Sequence, residues 1–180
     1  MITLVIGTPD SGKSALAETL AMESKCRTRY YLATMNVCDE ESRYRVNKHR
    51  KAREGKGFLT LEIPYGVDRA LEVIQEPTDS VILLECISNL VGNEMHDNPE
   101  RALYCRPGAA DPDAFLSQLM DDVKRLAAGV EDLIIVTNAY EADTSYDEET
   151  MLYIELCNKL NHALQGIADV TKDVRGGKNP

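Results

Sequence analysis

The chain opens with MITLVIGTPDSGKSALAE, residues 1–18, and this stretch decides the fold. Residues 2–6 form a short apolar run rich in β-branched side chains, which is typical of a buried β-strand. Residues 7–14 match the pattern G-x-x-x-x-G-K-[ST], and helical spacing of apolar residues begins at Ala15. Because strand, glycine-bounded loop and helix follow in the order that a phosphate-binding loop requires, the stretch predicts binding of a nucleoside triphosphate.

The residue types inside this loop fit phosphate chemistry. Gly7 and Gly12 allow the backbone to turn, so that its N–H groups converge on phosphate oxygens at a helix N-terminus. Lys13 supplies a mobile cation for the β- and γ-phosphates, and the Ser14 hydroxyl can ligate Mg²⁺. The alternative is a chance glycine–lysine turn, which would not need the strand and helix that flank it. The predicted nucleotide-binding residues of the loop are Gly7, Thr8, Pro9, Asp10, Ser11, Gly12, Lys13 and Ser14.

Length and composition limit the class of protein. A chain of 180 residues with 43% hydrophobic residues is globular, and one α/β domain spanning residues 1–180 is expected. The formal net charge of −10 argues against non-specific nucleic-acid binding, since phosphate contacts need a cationic surface. Five cysteines without a C-x-x-C pair favour reduced thiols in a cytoplasmic protein. No apolar run approaches membrane-spanning length, so no membrane span is predicted.

Strand and helix patterns alternate along the rest of the chain. Strands are predicted at 2–6, 29–34, 58–63, 80–86 and 133–137, with a weak edge strand at 169–174. Helices are predicted from residue 15 and at 39–53, 67–74, 114–128 and 148–167, and residues 98–113 are expected to form a surface loop. Such repeated units predict an α/β fold of the RecA-like P-loop NTPase class: a mostly parallel sheet with helices on both faces and ligands at the carboxyl ends of its strands.

Polar residues close two of the predicted buried strands. Glu85 ends the apolar run 81–84, where a carboxylate can hold Mg²⁺ or position a nucleophile. Its alternative is an ordinary acidic residue at a strand end. Thr137 and Asn138 follow the run 133–136, and a substrate contact is there as plausible as a helix cap or turn.

A basic helical stretch carries the third candidate group. Arg45, His49 and Arg53 are spaced four residues apart and therefore share one helix face. Three such groups repel one another unless an anion binds there, so the face is a candidate phosphate site with His49 as a possible nucleophile. The alternative is a solvated basic surface. The other histidines, His96 and His162, are expected to be incidental.

Further motifs occur in a fixed order after the phosphate loop. They are YLAT at 31–34, the acidic residues 39–41, RVNKHRKAR at 45–53, LLECI at 83–87, VTN at 136–138 and ADV at 168–170. In this order and at these spacings, they make the chain similar to the bifunctional adenosylcobinamide kinase/adenosylcobinamide-phosphate guanylyltransferase family of cobalamin biosynthesis. The likeness covers most of the chain and is more specific than the phosphate loop alone.

The resemblance implies two reactions at a cytoplasmic, homotrimeric enzyme that uses Mg²⁺ and ATP or GTP. A nucleoside triphosphate phosphorylates the aminopropanol hydroxyl of the corrinoid adenosylcobinamide. GTP then donates GMP through a covalent guanylyl-histidine to give adenosylcobinamide-GDP. The family histidine falls on His49, with Lys13 and Glu85 as the other catalytic residues and Ser14 and Glu85 as metal ligands. The implied nucleotide contacts beyond the loop are Thr34, Arg45, Arg50 and Arg53.

The chain also departs from the family pattern. Asp10 stands where the family has arginine in the phosphate loop, and residues 139–146 lack the glycines and proline of the family's loop. The last strand is polar instead of apolar. Two alternatives therefore stay open: a P-loop nucleotide-binding or regulatory protein without transferase activity, and a small-molecule kinase for another alcohol.

Overall fold

The computed structural model of the chain describes residues 1–106, 111–141 and 145–176. Its strands are β1 (Ile2–Gly7), β2 (Thr28–Ala33), β3 (Phe58–Glu62), β4 (Ser80–Glu85), β5 (Asp132–Asn138) and β6 (Val170–Asp173). Its α-helices are α1 (Lys13–Glu23), α2 (Glu40–Ala52), α3 (Ile87–His96), α4 (Pro112–Ala128) and α5 (Glu148–Ile167). Short 3₁₀ turns lie at Val67–Glu72, Pro77–Asp79 and Ala102–Cys105.

The described strands form one parallel sheet in the order β3-β2-β4-β5-β1-β6. Strand β5 therefore lies between β1, which leads into the phosphate loop, and β4, which ends at Glu85. The register pairs Gly7 with Asn138 and Ala33 with Glu85, so the polar strand ends meet at one edge of the sheet. The α/β prediction is confirmed, and the sheet is parallel in all its described strands.

Helices cover both faces of the sheet because its central strands are apolar on both sides. Along β1, Val5 packs on the face covered by α1, and its neighbour Leu4 packs on the opposite face. The larger hydrophobic cluster joins that opposite face to α3, α4 and α5, through Leu90, Phe115 and Leu156 among others. The side chains of the core therefore hold the sheet edge, where the candidate residues lie, in a fixed position.

Two elements differ from the sequence-based expectations. Residues 87–96 form α3, which the pattern does not predict, because its apolar residues follow β4 without a turn signal. Residues 67–72 form a 3₁₀ turn in place of the predicted helix at 67–74. The segment is short because it lies between Gly66 and a second 3₁₀ turn at 77–79. Residues 107–110 of the expected surface loop lie outside the described residues. No helix in the described parts combines the length and hydropathy that a bilayer crossing needs.

A buried ionic cluster joins three elements on the face opposite α1. The Arg101 guanidinium pairs with Glu94 of α3 at 3.0 Å and with Asp122 of α4 at 2.5 Å. Glu94 also accepts a hydrogen bond from the Gly66 backbone N–H at 2.8 Å, which ties the chain after β3 to α3. Burial raises the pKa of both carboxyl groups, and the positive charge of Arg101 partly offsets this rise.

Candidate active site

The phosphate loop connects the carboxyl end of β1 to the N-terminus of α1. Gly7 lies where a side chain has no room, since a Cβ would lie 2.4 Å from Ser11 Oγ and 2.8 Å from Val174 Cγ2. Gly12 begins α1 with a φ of 83°, a left-handed conformation that favours glycine. Asp10 has a φ of 59°, which aspartate tolerates better than most residues. The first turn of α1 thus presents its free N–H groups beside the loop.

Lys13, Ser14 and Glu85 meet at the carboxyl edge of the sheet. Lys13 Nζ donates a hydrogen bond to Thr8 O at 3.0 Å, and burial lowers the pKa of its ammonium group. Ser14 Oγ donates a hydrogen bond to Glu85 Oε1 at 2.5 Å. Glu85 Oε2 is buried and has no hydrogen-bond partner among the described residues. A buried, unpartnered carboxylate oxygen is costly unless a cation or donor binds to it.

This pair of oxygen ligands fits Mg²⁺. Mg²⁺ in nucleotide sites is usually bound through one or two protein oxygens together with phosphates and water. Ser14 and Glu85 supply such oxygens beside the loop, and the unpartnered Oε2 is the atom that a cation would satisfy. Elsewhere in the described chain, no group of three or more His, Cys, Asp or Glu side chains has the arrangement of a metal centre.

Helix α2 borders the same space with its basic face. Asp39 caps its N-terminus by accepting a hydrogen bond from the Ser42 N–H at 2.7 Å, while Ser42 Oγ accepts one from the Asp39 N–H. None of the residues of α2 is buried, so the helix depends on its ends for attachment. Arg45, His49 and Arg50 face the space that the phosphate loop borders, and Arg50 also pairs with Glu62 of β3.

Arg53 anchors the C-terminal end of α2. Its guanidinium lies over the ring of Tyr31 at 3.2 Å from the ring centre, and both side chains are about 95% buried. Such a cation–π contact stabilises the charge of Arg53, which has no carboxylate partner within the part of the chain that the structure describes. Arg53 Nη1 has no hydrogen-bond partner among the described residues, so one edge of the guanidinium is available to an anion. Burial and the nearby charge of Glu85 raise the pKa of Tyr31 above its ordinary value.

One cavity of about 630 Å³ unites these groups. Its wall includes Gly12, Lys13 and Ser14 of the phosphate loop, Glu85 of β4, and His49 at the end of α2. Its volume lies in the range of small-molecule sites. The cations that line it among the described residues are Lys13, Arg45, Lys48, Arg50, Arg53 and Lys56. Lys56 is paired with the buried Glu18 at 2.5 Å. The cavity is thus a cationic site in an acidic chain.

Some predicted residues lie behind the cavity wall. Thr34 is fully buried, and its hydroxyl both accepts from the Cys86 N–H and donates to the Cys86 carbonyl, each at 2.8 Å. Its side chain thus holds the chain after Glu85 in place. Gly7, Thr8 and Ser11 shape the loop without lining the cavity, whereas Pro9 and Asp10 line it.

Other groups at the site carry no strong signal in the sequence. Tyr31 reads as a core residue of β2, and only its alternation with Tyr30 shows that the two tyrosines face opposite sides of the sheet. Lys56, Glu62 and Asn89 also line the cavity, although none belongs to a motif that identifies a nucleotide site. Asn138 lines the cavity beside the phosphate loop, as the register between β1 and β5 requires.

Known proteins resemble the chain at the level of sequence. It is 31% identical over 134 residues to the bifunctional adenosylcobalamin biosynthesis protein CobU of Escherichia coli, covering 74% of this chain and 66% of the relative. It is 35% identical over 102 residues to the bifunctional adenosylcobalamin biosynthesis protein CobP of Pseudomonas aeruginosa, covering 56% of this chain and 57% of the relative. The chain therefore spans less than two thirds of the length of these relatives.

Among solved structures, the flagellar accessory protein FlaH from Methanocaldococcus jannaschii matches with a TM-score of 0.47 and 16% identity, over 96% of this chain and 70% of FlaH. The family CobU, described as cobinamide kinase / cobinamide phosphate guanyltransferase, matches residues 3–178. The match thus spans nearly the whole chain, including the residues of the phosphate loop and of α2. The chain belongs to the cobinamide kinase / cobinamide phosphate guanyltransferase family.

Proposed function

We propose that this chain phosphorylates the aminopropanol hydroxyl of adenosylcobinamide with a nucleoside triphosphate, and then transfers GMP from GTP to the product through guanylyl-His49. The observation that carries the proposal is the shared cavity: the phosphate loop and His49 line the same space of about 630 Å³. A kinase that only transferred phosphate would need the loop and a positioned hydroxyl, and it would have no use for a histidine among arginines.

The phosphorylation step uses the loop and β4. The N–H groups at the start of α1 and the Lys13 ammonium hold the β- and γ-phosphates. Ser14 and Glu85 would hold Mg²⁺, which when bound neutralises charge on those phosphates. The oxygen of the acceptor hydroxyl attacks the γ-phosphorus, and the bond from that phosphorus to the bridging oxygen breaks. The nucleoside diphosphate leaves with the electron pair of that bond, and the hydroxyl proton passes to solvent.

The guanylyl step uses α2. The neutral imidazole of His49 attacks the α-phosphorus of GTP, and a P–N bond forms as pyrophosphate leaves. A phosphate oxygen of adenosylcobinamide phosphate then attacks the same phosphorus, so that the electron pair of the P–N bond returns to the imidazole. Arg45, Arg50 and Arg53 stabilise charge on the transferring phosphoryl oxygens. The unpartnered Nη1 of Arg53 supports this assignment.

The proposal extends to the setting of the enzyme. The five cysteines are free thiols, which supports a reducing compartment such as the cytoplasm. Assembly into a homotrimer and the organisation of residues 1–180 as one domain stay predictions.

Incubation with GTP labelled at the α-phosphorus, followed by denaturation, tests the histidine directly. We expect acid-labile label on the wild-type protein and none on His49→Ala, because only a P–N bond at His49 retains GMP after unfolding. His162→Ala on α5 is the matched control, since it removes a histidine far from the cavity and should label like wild type. His49→Ala should still phosphorylate adenosylcobinamide.

Each outcome discriminates between the hypotheses. Label on His49→Ala equal to that of wild type would place the nucleophile elsewhere. A wild-type protein that phosphorylates adenosylcobinamide without becoming labelled would have lost the guanylyl step. Absence of both activities would favour a nucleotide-binding protein, and phosphorylation of another alcohol alone would favour a different kinase.

A further inference from the structure

Asn138 presents a single unused polar atom at the cavity. Its backbone N–H donates to Ser88 Oγ at 3.2 Å, and its carbonyl accepts from Asn161 Nδ2 at 2.8 Å. Its side-chain Nδ2 donates to the Tyr140 hydroxyl at 3.4 Å. Its Oδ1 is buried and has no partner among the described residues. The residue is therefore held firmly at three points and unsatisfied at one.

A chain of hydroxyl groups determines which way the Asn138 amide faces. The Tyr153 hydroxyl lies 3.1 Å from the Ser88 carbonyl, which can only accept, so Tyr153 donates there. Tyr140, 3.1 Å from Tyr153, must then donate its own proton to the Tyr153 oxygen. The Tyr140 oxygen can then only accept a hydrogen bond from Asn138. The NH₂ group of the Asn138 amide must therefore face Tyr140. The carbonyl oxygen is thereby fixed as the unsatisfied atom.

Asn138 Oδ1 and Glu85 Oε2 are the two buried, unsatisfied acceptors among the described side chains that line the cavity. The cations of the cavity and the N–H groups at the start of α1 suit the phosphates of a nucleotide. An amide oxygen repels those phosphates and binds a hydrogen-bond donor. Because Oδ1 is buried and has no partner among the described residues, a hydrogen-bond donor on a bound substrate would satisfy it. Asn138 pairs in register with Gly7, so that donor would sit beside the start of the phosphate loop.

From this geometry we infer that Asn138 Oδ1 accepts the hydrogen bond of the alcohol that is phosphorylated, and that Tyr140 is the positioning residue that fixes the amide. The inference rests on the proposed function, since the alcohol is the acceptor of that reaction. Accepting a hydrogen bond from the hydroxyl orients its oxygen so that a lone pair faces the γ-phosphorus. Tyr140 lies in the segment 139–146, where the sequence departs from the family pattern.

The test compares two ligands that differ in one hydroxyl group. Binding of adenosylcobinamide, and of its analogue in which propylamine replaces the aminopropanol, is measured by calorimetry in the presence of a non-hydrolysable ATP analogue. Asn138→Leu should weaken adenosylcobinamide binding by about 10-fold, the loss of one hydrogen bond, and leave binding of the analogue unchanged. The rate of adenosylcobinamide phosphorylation should fall as well, while affinity for the ATP analogue is retained.

Tyr140→Phe provides a second variant that leaves Asn138 in place. It should show the same hydroxyl-specific loss to a smaller degree, and it should have no further effect in the Asn138→Leu background. Tyr104→Phe is the matched control, because the Tyr104 hydroxyl also accepts from a side-chain amide, Gln118 Nε2 at 2.9 Å, away from the cavity. Tyr104→Phe should behave like wild type.

The outcomes separate this inference from the proposed function. If wild type phosphorylates adenosylcobinamide and Asn138→Leu does so equally well, the role of Asn138 is overturned and the function stands. If wild type binds adenosylcobinamide without phosphorylating it, the function fails, and hydroxyl-specific weakening in Asn138→Leu still supports the inference. If wild type does not bind adenosylcobinamide, or if both ligands weaken equally in Asn138→Leu, the inference is overturned.

Discussion

At the scale of single residues, the site contains groups whose environment is unfavourable until a ligand binds. Lys13 is the clearest case, since burial lowers the pKa of its ammonium group, and among the described residues its only hydrogen bond goes to the Thr8 carbonyl. The phosphates of a bound nucleotide would supply a negatively charged partner for this ammonium group. Lys13 is thus expected to contribute to binding and little to folding.

Lys13→Met should separate these two contributions. Affinity for ATP and GTP should fall at least about 10-fold, because a charge-assisted contact to phosphate is lost. The melting temperature at pH 7 should stay within about 2 °C of wild type. Isothermal calorimetry and thermal unfolding measure the two effects, and Lys124→Ala at an exposed position of α4 should change neither.

The pH dependence of Lys13 has a definite sign. Its pKa in the folded state lies below the ordinary value of 10.5, so the unfolded state binds more protons between these two values. The stability of wild type relative to Lys13→Met should therefore rise as the pH increases through that window. A relative stability that falls there would contradict the burial argument.

At the scale of elements, helices α2 and α5 have similar N-terminal caps but differ in how much of their surface is buried. Helices α2 and α5 begin with the same cap: Asp39 accepts from Ser42 N, and Asp147 accepts from Thr150 N, each at 2.7 Å. These hydrogen bonds lower the pKa of both aspartates. Yet α2 buries no residue, whereas α5 buries a stripe that includes Leu156 and Leu160. The same kind of cap therefore stabilises one helix that buries no residue and another that packs against the core.

Amide hydrogen exchange should reveal that difference. Asp39→Ala should reduce protection of the α2 amides about five-fold and leave the denaturation midpoint almost unchanged, because α2 opens locally. Asp147→Ala should instead lower the midpoint, since the buried amides of α5 exchange through global unfolding. Both effects should fade as the pH falls through the lowered pKa of each aspartate. A uniform loss of protection in Asp39→Ala would contradict local opening of α2.

The sequence predicts elements well where one pattern suffices. Residues 148–167 carry a long apolar stripe and form α5 within the same bounds, and the continuous apolar run before Glu85 forms central strand β4. The sequence pattern does not predict helix α3, because no turn residue separates the apolar run of β4 from the first turn of α3. At the site, motif and spacing bring out Lys13, Glu85 and His49, whose side chains do line one cavity.

The remainder of the site depends on contacts that no local pattern encodes. The unpartnered oxygen of Asn138 is fixed by Tyr140, Tyr153 and Ser88, which come from separate segments of the chain. Thr34 illustrates the opposite case. It follows the carboxyl end of β2, where a ligand contact is expected, but its hydroxyl is hydrogen-bonded to the Cys86 backbone. Such assignments require the three-dimensional arrangement.

At the scale of the whole molecule, the buried ionic cluster connects α3, α4 and the chain after β3. Arg101 neutralises Glu94 and Asp122, whose side chains are almost fully buried. Removing one member of a buried ion pair leaves uncompensated charge in the interior, which is far more damaging than losing a surface pair. Arg101 is thus the side chain that links α3 to α4 through this cluster, and Asp122 also pairs with Arg125 of α4.

Arg101→Met should lower the free energy of unfolding by about 3 to 5 kcal/mol at pH 8. The deficit should shrink toward pH 5, because burial raises the pKa of both carboxyl groups and their protonation removes the unpaired charge. Urea denaturation at the two pH values measures this. Arg27→Met, which breaks the exposed pair with Asp79, should change stability little at either pH.

The basic wall of the cavity in an acidic chain has a kinetic consequence. An approaching nucleotide is repelled at long range by a molecule of net charge −10, and only close to the cavity does it meet the cations of α2. Salt screens the distant repulsion beyond a Debye length of about 8 Å at physiological ionic strength, but weakens the partly buried contacts much less. The association rate constant of a nucleotide should therefore be highest at intermediate ionic strength. There the long-range repulsion is screened, and the attraction to the cations of the cavity is still strong.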